Sequence, residues 1–476
     1  MSEALPFTPL FINGQKVPSS DNKTFDVVNP YSHTVVCRAA SATSTDCRAA
    51  IDAAHAVFKT WEHSPVQQRK DILVKAADIL STDRYKQLIL QSLKEETATP
   101  VDFCIFNWSS SQQFLRDTAK PGDLLGDERT ASDRVPGAEV LVQRRAMGVI
   151  FSIAPWNAPI VLSLRAIAVP ILCGNTVVLK SSELSPRSQF IVAELFQEAG
   201  LPAGVLNLVS VSKEDSPALT AEIIAHPFVR KINFTGSDRV GKIIASEAAK
   251  YLKPCVFELG GKAPAIVLND ADIDAAAKAI VSGALLYSGQ VCMSTSRVLV
   301  QRGVSDALTE KICGFCKSLK AGDPYTDPTA RISALFSEPS AENVLVGDIN
   351  RDGSVIQPHV FTGVKPGTRL WEREAFGPEL SITTFKTIDE AIELANMSDY
   401  SLSSSLWTSD LSVAEKLAPQ IRTGYVNING STIHSESLLG LIGLGGSSGY
   451  GRFSIEDFTD RRLVVFHPPR QYPLTS

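Results

Sequence analysis

No stretch of this sequence is apolar for long enough to cross a bilayer without interruption. The most apolar region, residues 149–178, is broken by Pro155, Asn157, Pro159, Arg165 and Pro170, which fits a strand, loop and helix of a buried core. Met1-Ser2-Glu3-Ala4-Leu5-Pro6 has neither the basic and apolar regions of a secretory signal nor an arginine-rich amphipathic pattern, so no targeting segment is expected there. Dense basic clusters are missing: Arg461-Arg462 is only a pair, and the net charge of -5 argues against a nucleic-acid surface. The eight cysteines are scattered, which excludes a disulfide framework and suggests reduced thiols in the cytoplasm. Cys313 and Cys316 form a lone CxxC with no second pair or His pair to complete a metal site, so no metal is expected. The GxGxxG dinucleotide fingerprint, a Cys/His catalytic signature, internal repeats and low-complexity tracts are also absent.

What is present suits a globular enzyme. A chain of 476 residues, 44% hydrophobic and 20% charged, has material for two to four domains with large cores. Residues 10–17 predict a hairpin turning at Asn13-Gly14. Residues 46–61, with Asp46 as N-cap, and 67–80 predict amphipathic helices. From residue 149 short apolar strands (149–154, 176–179, 205–209, 231–234) alternate with helices (159–172, 186–199, 237–250). That predicts a parallel sheet with helices on both faces. A second α/β block starts near Glu258, with strands 265–268 and 296–300 and helices after Asp270 and up to about Leu319. Residues 458–467 predict a last strand.

The most informative segment is Gly289-Gln290-Val291-Cys292-Met293-Ser294. It sets one cysteine in a small-residue break between an expected helix and strand, where loops carry chemistry. At an ordinary thiol pKa of about 8.5 only roughly 3% is thiolate at pH 7, so a nucleophile here needs a base or a cation beside it. Phe257-Glu258-Leu259-Gly260-Gly261-Lys262 offers a carboxylate at a Gly-Gly turn: a general base, or a solvated surface group. Phe234-Thr235-Gly236-Ser237 opens a helix and presents either a phosphate site or a common turn, with Asp238 complementing the helix dipole. Lys180, Ser182 and Glu183 follow a strand end, where a carboxylate would accept bonds from a ribose 2′-hydroxyl and repel a 2′-phosphate, favouring NAD over NADP; the alternative is a solvated turn. Asn157, in Ala154-Pro155-Trp156-Asn157, is an oxyanion donor or a helix cap. Arg165 inside an apolar helix reads as half of a buried pair, and Phe103, Phe106 and Trp108 as core in preference to a substrate tunnel.

Seven segments stand in one order: Ala154 to Asn157, Gly174 to Lys180 with Ser182-Glu183, Phe234 to Ser237, Glu258 to Lys262, Gly289 to Cys292, Glu374 to Pro378, and Ser448 to Arg452. In that order they resemble the NAD(P)-dependent aldehyde dehydrogenase superfamily over nearly the whole chain. Arg145 to Val149, Arg165 to Ala168 and Cys292 to Thr295 are most similar to its aromatic branch, the salicylaldehyde and vanillin dehydrogenases. The resemblance implies an α/β fold with a Rossmann-like cofactor domain (1–120 and 143–257), an α/β catalytic domain (258–452) and a β-arm (121–142 and 453–476) that joins a homodimer or homotetramer. It implies oxidation of an aromatic or apolar aldehyde to the acid, with NAD as cofactor and NADP possible, through a thiohemiacetal and a thioester. Cys292 would be the nucleophile, Glu258 the general base, and Asn157 with the Cys292 N–H the oxyanion hole. Lys180, Ser182 and Glu183 would hold the adenosine ribose, Gly236 and Ser237 the pyrophosphate, and Glu374 the nicotinamide ribose beside Phe376. Ile153, Pro155, Trp156, Phe234, Leu259 and Gly260 would line the remaining cofactor path.

The chain departs from the family pattern at Leu441 to Gly446, at Arg373, at Arg452 to Ile455 and in a shortened 332–358 segment, which bears on pocket shape and assembly. Two other outcomes follow from the same fold: thioester transfer to coenzyme A, or a catalytically weak cofactor-binding scaffold. No membrane or nucleic-acid partner is expected.

Overall fold

Apolar strands that alternate with helices pair in parallel, because each helix returns the chain to the same end of the sheet. Here they build two sheets. The computed structural model describes residues 5–327, 329–336, 351–352, 354–434, 436 and 443–469. In the first sheet five parallel strands run in the order Cys255–Glu258, Val229–Thr235, Val149–Ile153, Thr176–Lys180 and Leu206–Val209, with the hairpin Leu10–Ile12 and Gln15–Val17 added antiparallel at one edge. Asn13 and Gly14 have φ of 50° and 73°, the double left-handed turn that a two-residue hairpin requires. The second sheet is parallel throughout: His359–Thr362, Glu379–Phe385, Thr295–Gln301, Ala263–Val267, Ser403–Trp407 and Tyr425–Ile428. Apolar clusters fill both faces of each sheet.

The helix Pro159–Leu172 crosses the first sheet and is buried at nearly every position. Pro170 lies inside it and cannot donate to the carbonyl of Ala166. Ser152 Oγ (2.9 Å) and Asn233 Nδ2 (3.0 Å) donate to that carbonyl instead. The carbonyl that Pro170 leaves without a helical donor is therefore hydrogen-bonded to the sheet beneath it. Arg297 does a similar task in the second sheet. It donates to the carbonyls of Lys262, Leu394, Ala395 and Met397, three of them at the C-terminal end of the helix Ile388–Asn396, and lies 5.0 Å over the Trp371 ring. A cation there meets the negative end of the helix dipole. Burial still lowers its pKa to about 10.

A third sheet stands apart: Thr459–Phe466, Glu139–Ala146 and Glu128–Ala131, antiparallel. Asn175 ties it to the first. Its Oδ1 accepts from the N–H groups of Met147 (2.7 Å) and Gly148 (3.1 Å), and its Nδ2 donates to the carbonyls of Phe458 (2.8 Å) and Pro170 (3.2 Å).

Most expected elements appear with ends shifted by one or two residues. One cap is corrected. Thr43, not Asp46, is the N-cap of Ser44–Trp61; Asp46 is the third helical residue and bonds back to Thr43 in a capping box. The helices Asp83–Thr97, Val101–Ala119, Ser216–Ala225, Ile388–Asn396 and Leu411–Leu417 were among those not expected. Cys313 and Cys316 lie on the helix Ser305–Ser318, and among the described residues no group of three His, Cys, Asp or Glu is placed to hold a metal. No described helix is long and apolar enough to span a membrane. Of the segments expected to depart from the family, 337–350, 353, 441 and 442 lie outside the described residues.

Candidate active site

Glu258 ends the edge strand of the first sheet, and Ala263 begins a strand of the second. The four residues between are the crossing point, and their glycines permit it. A Cβ on Gly260 would stand 2.5 Å from Glu374 Oε2, and one on Gly261 would overlap the Cys292 carbonyl. Gly261 N–H donates to Glu374 Oε1 (3.0 Å). From the far end of the chain, Ser448 Oγ donates to the Gly260 carbonyl (2.7 Å) and the Ser448 carbonyl accepts from Leu259 N–H (3.2 Å). The turn thus brings Glu258, Cys292 and Glu374 to one place.

The cysteine loop is held in an unusual backbone. Tyr287, Ser288 and Gly289 all have positive φ (49°, 57° and 75°). For the two non-glycine residues this costs about 1–2 kcal/mol each. Side chains offset it: Tyr287 Oη donates to the Thr97 carbonyl (2.9 Å), Ser288 Oγ donates to the Ser333 carbonyl (3.0 Å) and accepts from Ser333 N–H (2.9 Å). Gln290 is buried; its amide donates to Ala334 (3.2 Å) and accepts from Phe336 N–H (2.8 Å). Gly289 packs so closely on the Gly377 carbonyl that no Cβ fits.

Asn157 is not a helix cap. The following helix is preceded by Ala158 with no side-chain cap, and Asn157 Nδ2 donates to the Gln290 carbonyl (2.9 Å), two residues from Cys292. One N–H of that amide points into the cysteine loop's backbone, and the other remains to donate. Arg165 is indeed half of a buried pair, and its partner is Glu258: Nη2 lies 2.6 Å from Oε2, with the two side chains 8% and 1% exposed. Glu258 Oε1 is buried with no partner among the described residues. Burial pushes the Cys292 thiol well above the usual thiol range; the Glu258 charge beside it acts in the same direction and Arg165 against it.

The expected cofactor residues lie along the C-terminal ends of the first sheet. Lys180 is 5% exposed, and among the described residues its ammonium makes one hydrogen bond, to the Ser181 carbonyl at 3.3 Å. Three donors with one weak partner form a site that lacks acceptors, which ribose hydroxyls would supply. Burial lowers the pKa of Lys180, while the Glu183 charge nearby opposes the shift. Glu183 lines a cavity of about 510 Å³ with Lys213, Val27 and Phe336. Ser182 is tied back to Gln189 and Leu184. Ser237 caps the helix Asp238–Ala249 through Val240, and a Cβ on Gly236 would stand 2.5 Å from the Phe234 ring, so the approach to this helix N-terminus stays open only to glycine. Glu374 is half-buried, and the loss of water around its carboxyl raises its pKa to about 7. Trp156 packs edge-on to Phe376 (5.9 Å) and Tyr287 (6.2 Å). Ile153 and Pro155 flank it at the end of the strand. These residues fit a dinucleotide.

Several contacts were not legible beforehand: Thr235 Oγ1 on Arg165 (3.0 Å), Ser448 under the Gly-Gly turn, and the Gln290 bracket. Asp238 proves to be more than a dipole partner, since it meets Arg373 (3.5 Å) and Lys242 (3.2 Å). Phe103 is core, stacked on Tyr287 at 5.1 Å, while Phe106 is exposed and Trp108 donates to the Leu80 carbonyl (2.8 Å).

Comparison with known proteins agrees with this geometry. Residues 17–465 match the aldehyde dehydrogenase family. The chain is 40% identical to the vanillin dehydrogenase of Pseudomonas sp. (strain HR199), covering 98% of this chain and 99% of that protein. It is 38% identical to the salicylaldehyde dehydrogenase of Pseudomonas putida, at 98% and 99%. The crystal structure of a salicylaldehyde dehydrogenase from Pseudomonas putida G7 complexed with salicylaldehyde superposes with a TM-score of 0.94 at 37% identity, covering 98% of this chain and 100% of that one. An NADP-dependent glyceraldehyde-3-phosphate dehydrogenase from Bacillus halodurans C-125, complexed with NADP, superposes with a TM-score of 0.89 at 31% identity, at 98% and 100%.

Proposed function

The chain belongs to the aldehyde dehydrogenase family and oxidises an aldehyde to the carboxylic acid with a nicotinamide dinucleotide, and on that premise we propose that its substrate is an aromatic aldehyde, attacked by Cys292. The observation that carries this is the placement of the Cys292 thiol against Glu258 beside apolar side chains. Cys292 packs with Val291, Met293, Tyr425 and Ile433, and Val291 also packs with the cluster of Val161, Leu162, Trp156 and Tyr287. The aromatic substrates named for the vanillin and salicylaldehyde relatives support the same reading.

Glu258 takes the thiol proton, and Cys292 Sγ bonds the carbonyl carbon. The negative oxygen that forms is met by the remaining Asn157 N–H and by the Cys292 N–H, which has no acceptor among the described residues. One such donor contributes about 3 kcal/mol to the transition state. When bound, the dinucleotide supplies the hydride acceptor. Lys180, Ser182 and Glu183 hold its adenosine ribose, Gly236 and Ser237 its pyrophosphate, and Glu374 its second ribose. Glu183 favours NAD, with NADP tolerated. Glu258 gives the thiol proton up to solvent and then deprotonates the water that hydrolyses the thioester left on Cys292, so water and not coenzyme A is the acceptor.

The division into cofactor (1–120, 143–257), catalytic (258–452) and arm (121–142, 453–476) parts is our reading too. So is a homodimer or homotetramer joined through the arm, whose last strand exposes Leu463, Val465 and Phe466. Eight free cysteines support a cytoplasmic home.

The test is NADH formation with benzaldehyde-type, aliphatic and semialdehyde substrates. Benzaldehydes are expected to give the highest kcat/KM; a clear aliphatic preference removes the substrate assignment. Cys292→Ala should abolish NADH formation and keep dinucleotide binding, and residual turnover would remove Cys292 from the mechanism.

A further inference from the structure

We propose that Arg165 is a positioning residue for Glu258, anchoring one carboxylate oxygen so that the other is left to take the proton of the attacking water. This rests on the reading of Glu258 as the hydrolytic base.

The two oxygens of Glu258 are unlike. Oε2 accepts from Arg165 Nη2 at 2.6 Å, and Oε1 is buried without a partner among the described residues. A carboxylate with both oxygens tied has no site for a proton at low cost, and one with neither tied turns freely. This one is held by one oxygen and open at the other. Arg165 is itself fixed from three sides. Its Nη2 also meets Thr235 Oγ1 at 3.0 Å, and Thr235 is the residue paired with Glu258 across adjacent strands. The Phe453 ring lies 4.7 Å from its guanidinium carbon. The helix that carries it is buried along almost its whole length, and the Arg165 side chain is 8% exposed. A buried guanidinium in an apolar helix is costly unless paired, and this pairing places it on the base.

The other groups facing this pair are the Cys292 thiol and Glu374 on the Glu258 side, Lys262 behind Glu374, and Tyr425 near Arg165. Of these, Arg165 alone makes an ion pair with Glu258. In the step it serves, the water oxygen bonds the acyl carbon and a water proton passes to Glu258 Oε1. The carbon–sulfur bond then breaks with its electron pair returned to Cys292, and the Glu258 proton leaves to solvent.

The test uses the cofactor-free chain with p-nitrophenyl acetate. A burst of p-nitrophenolate reports acylation of Cys292, and the slope that follows reports thioester hydrolysis. Arg165→Met should keep the burst and lower the slope by about 10- to 100-fold, the range for a lost hydrogen bond to a charged group. Arg165→Lys keeps one cationic donor and should restore the slope to within a few-fold. In a Glu258→Gln background Arg165→Met should change nothing further. An unchanged slope in Arg165→Met, or an equal further drop in the Gln background, overturns the proposal. So does an Arg165→Lys chain as slow as Glu258→Gln, which decides the matter if the methionine variant does not fold. Failure of the base assignment itself is distinct: Glu258→Gln alone would then leave the slope intact.

Discussion

The carbonyl of Cys292 occupies the space that a Cβ on Gly261 would need, so the turn carrying the nucleophile and the turn following the base are packed backbone against backbone. No flexible side chain lies between them to give way. Gly261→Ala should therefore push the cysteine loop off its position. A displacement near 1 Å costs about 100-fold in rate. The expected result is a kcat for NADH formation lower by at least about that factor, with the chain still folded by circular dichroism. Parent-like turnover would show that the two turns move independently.

The thiol of Cys292 is raised well above the ordinary range, chiefly by burial. Thiolate is the reactive form, so its fraction at neutral pH falls as the pKa rises. Alkylation of the cofactor-free chain by iodoacetamide should be slow at about pH 7 and still climbing at about pH 9. Peptide mapping of Cys292 checks this. A rate that levels off below about pH 8 would mean that a cation or base already activates the thiol at rest.

Glu183 and Lys213 face one cavity with opposite charges. A carboxylate there repels a 2′-phosphate, while the lysine attracts it. Glu183→Gln weakens the repulsion, since Asp26 and Glu214 also line the cavity, and leaves the attraction. It should raise kcat/KM for NADP relative to NAD by about 10-fold. If the ratio stays put, the ribose lies elsewhere.

Arg297 holds four carbonyls and makes no ion pair among the described residues, with Glu372 the carboxylate nearby. Arg297→Met would leave helix-end carbonyls buried and unpaired. The expected loss is about 3 kcal/mol, seen as a lower urea midpoint with an unchanged slope. A midpoint within error of the parent would show that water reaches those carbonyls.

Local chemistry was legible in the chain where it is local. Asn13-Gly14 announces its hairpin because few residues tolerate two left-handed positions. Cys292 and Glu258 stand out through their glycine-rich surroundings. Their closeness does not, since it depends on Gly261 and on Ser448, which arrives from near the chain's end. Arg165 reads as half of a pair, but its partner is 93 residues away. The helix Val101–Ala119 was missed for a different reason. Ser109-Ser110-Ser111 interrupts its apolar pattern, yet Ser110 and Ser111 turn their hydroxyls back onto the carbonyls of Phe106 and Asn107 and remain helical. Asp46 was given a role that belongs to Thr43, because both sides of a capping box carry cap-like residues.

Asn175 gives the tail of the chain unexpected weight. One amide clasps the approach to the strand Val149–Ile153 and, with its other end, the residue just before Thr459–Phe466. A gene truncated shortly after residue 450 would still encode every group assigned here to catalysis, yet its product would lose one of the four hydrogen bonds of that clasp. The damage from such a late nonsense mutation would surface where the strands Val149–Ile153 and Thr176–Lys180 begin, far along the chain from the lesion.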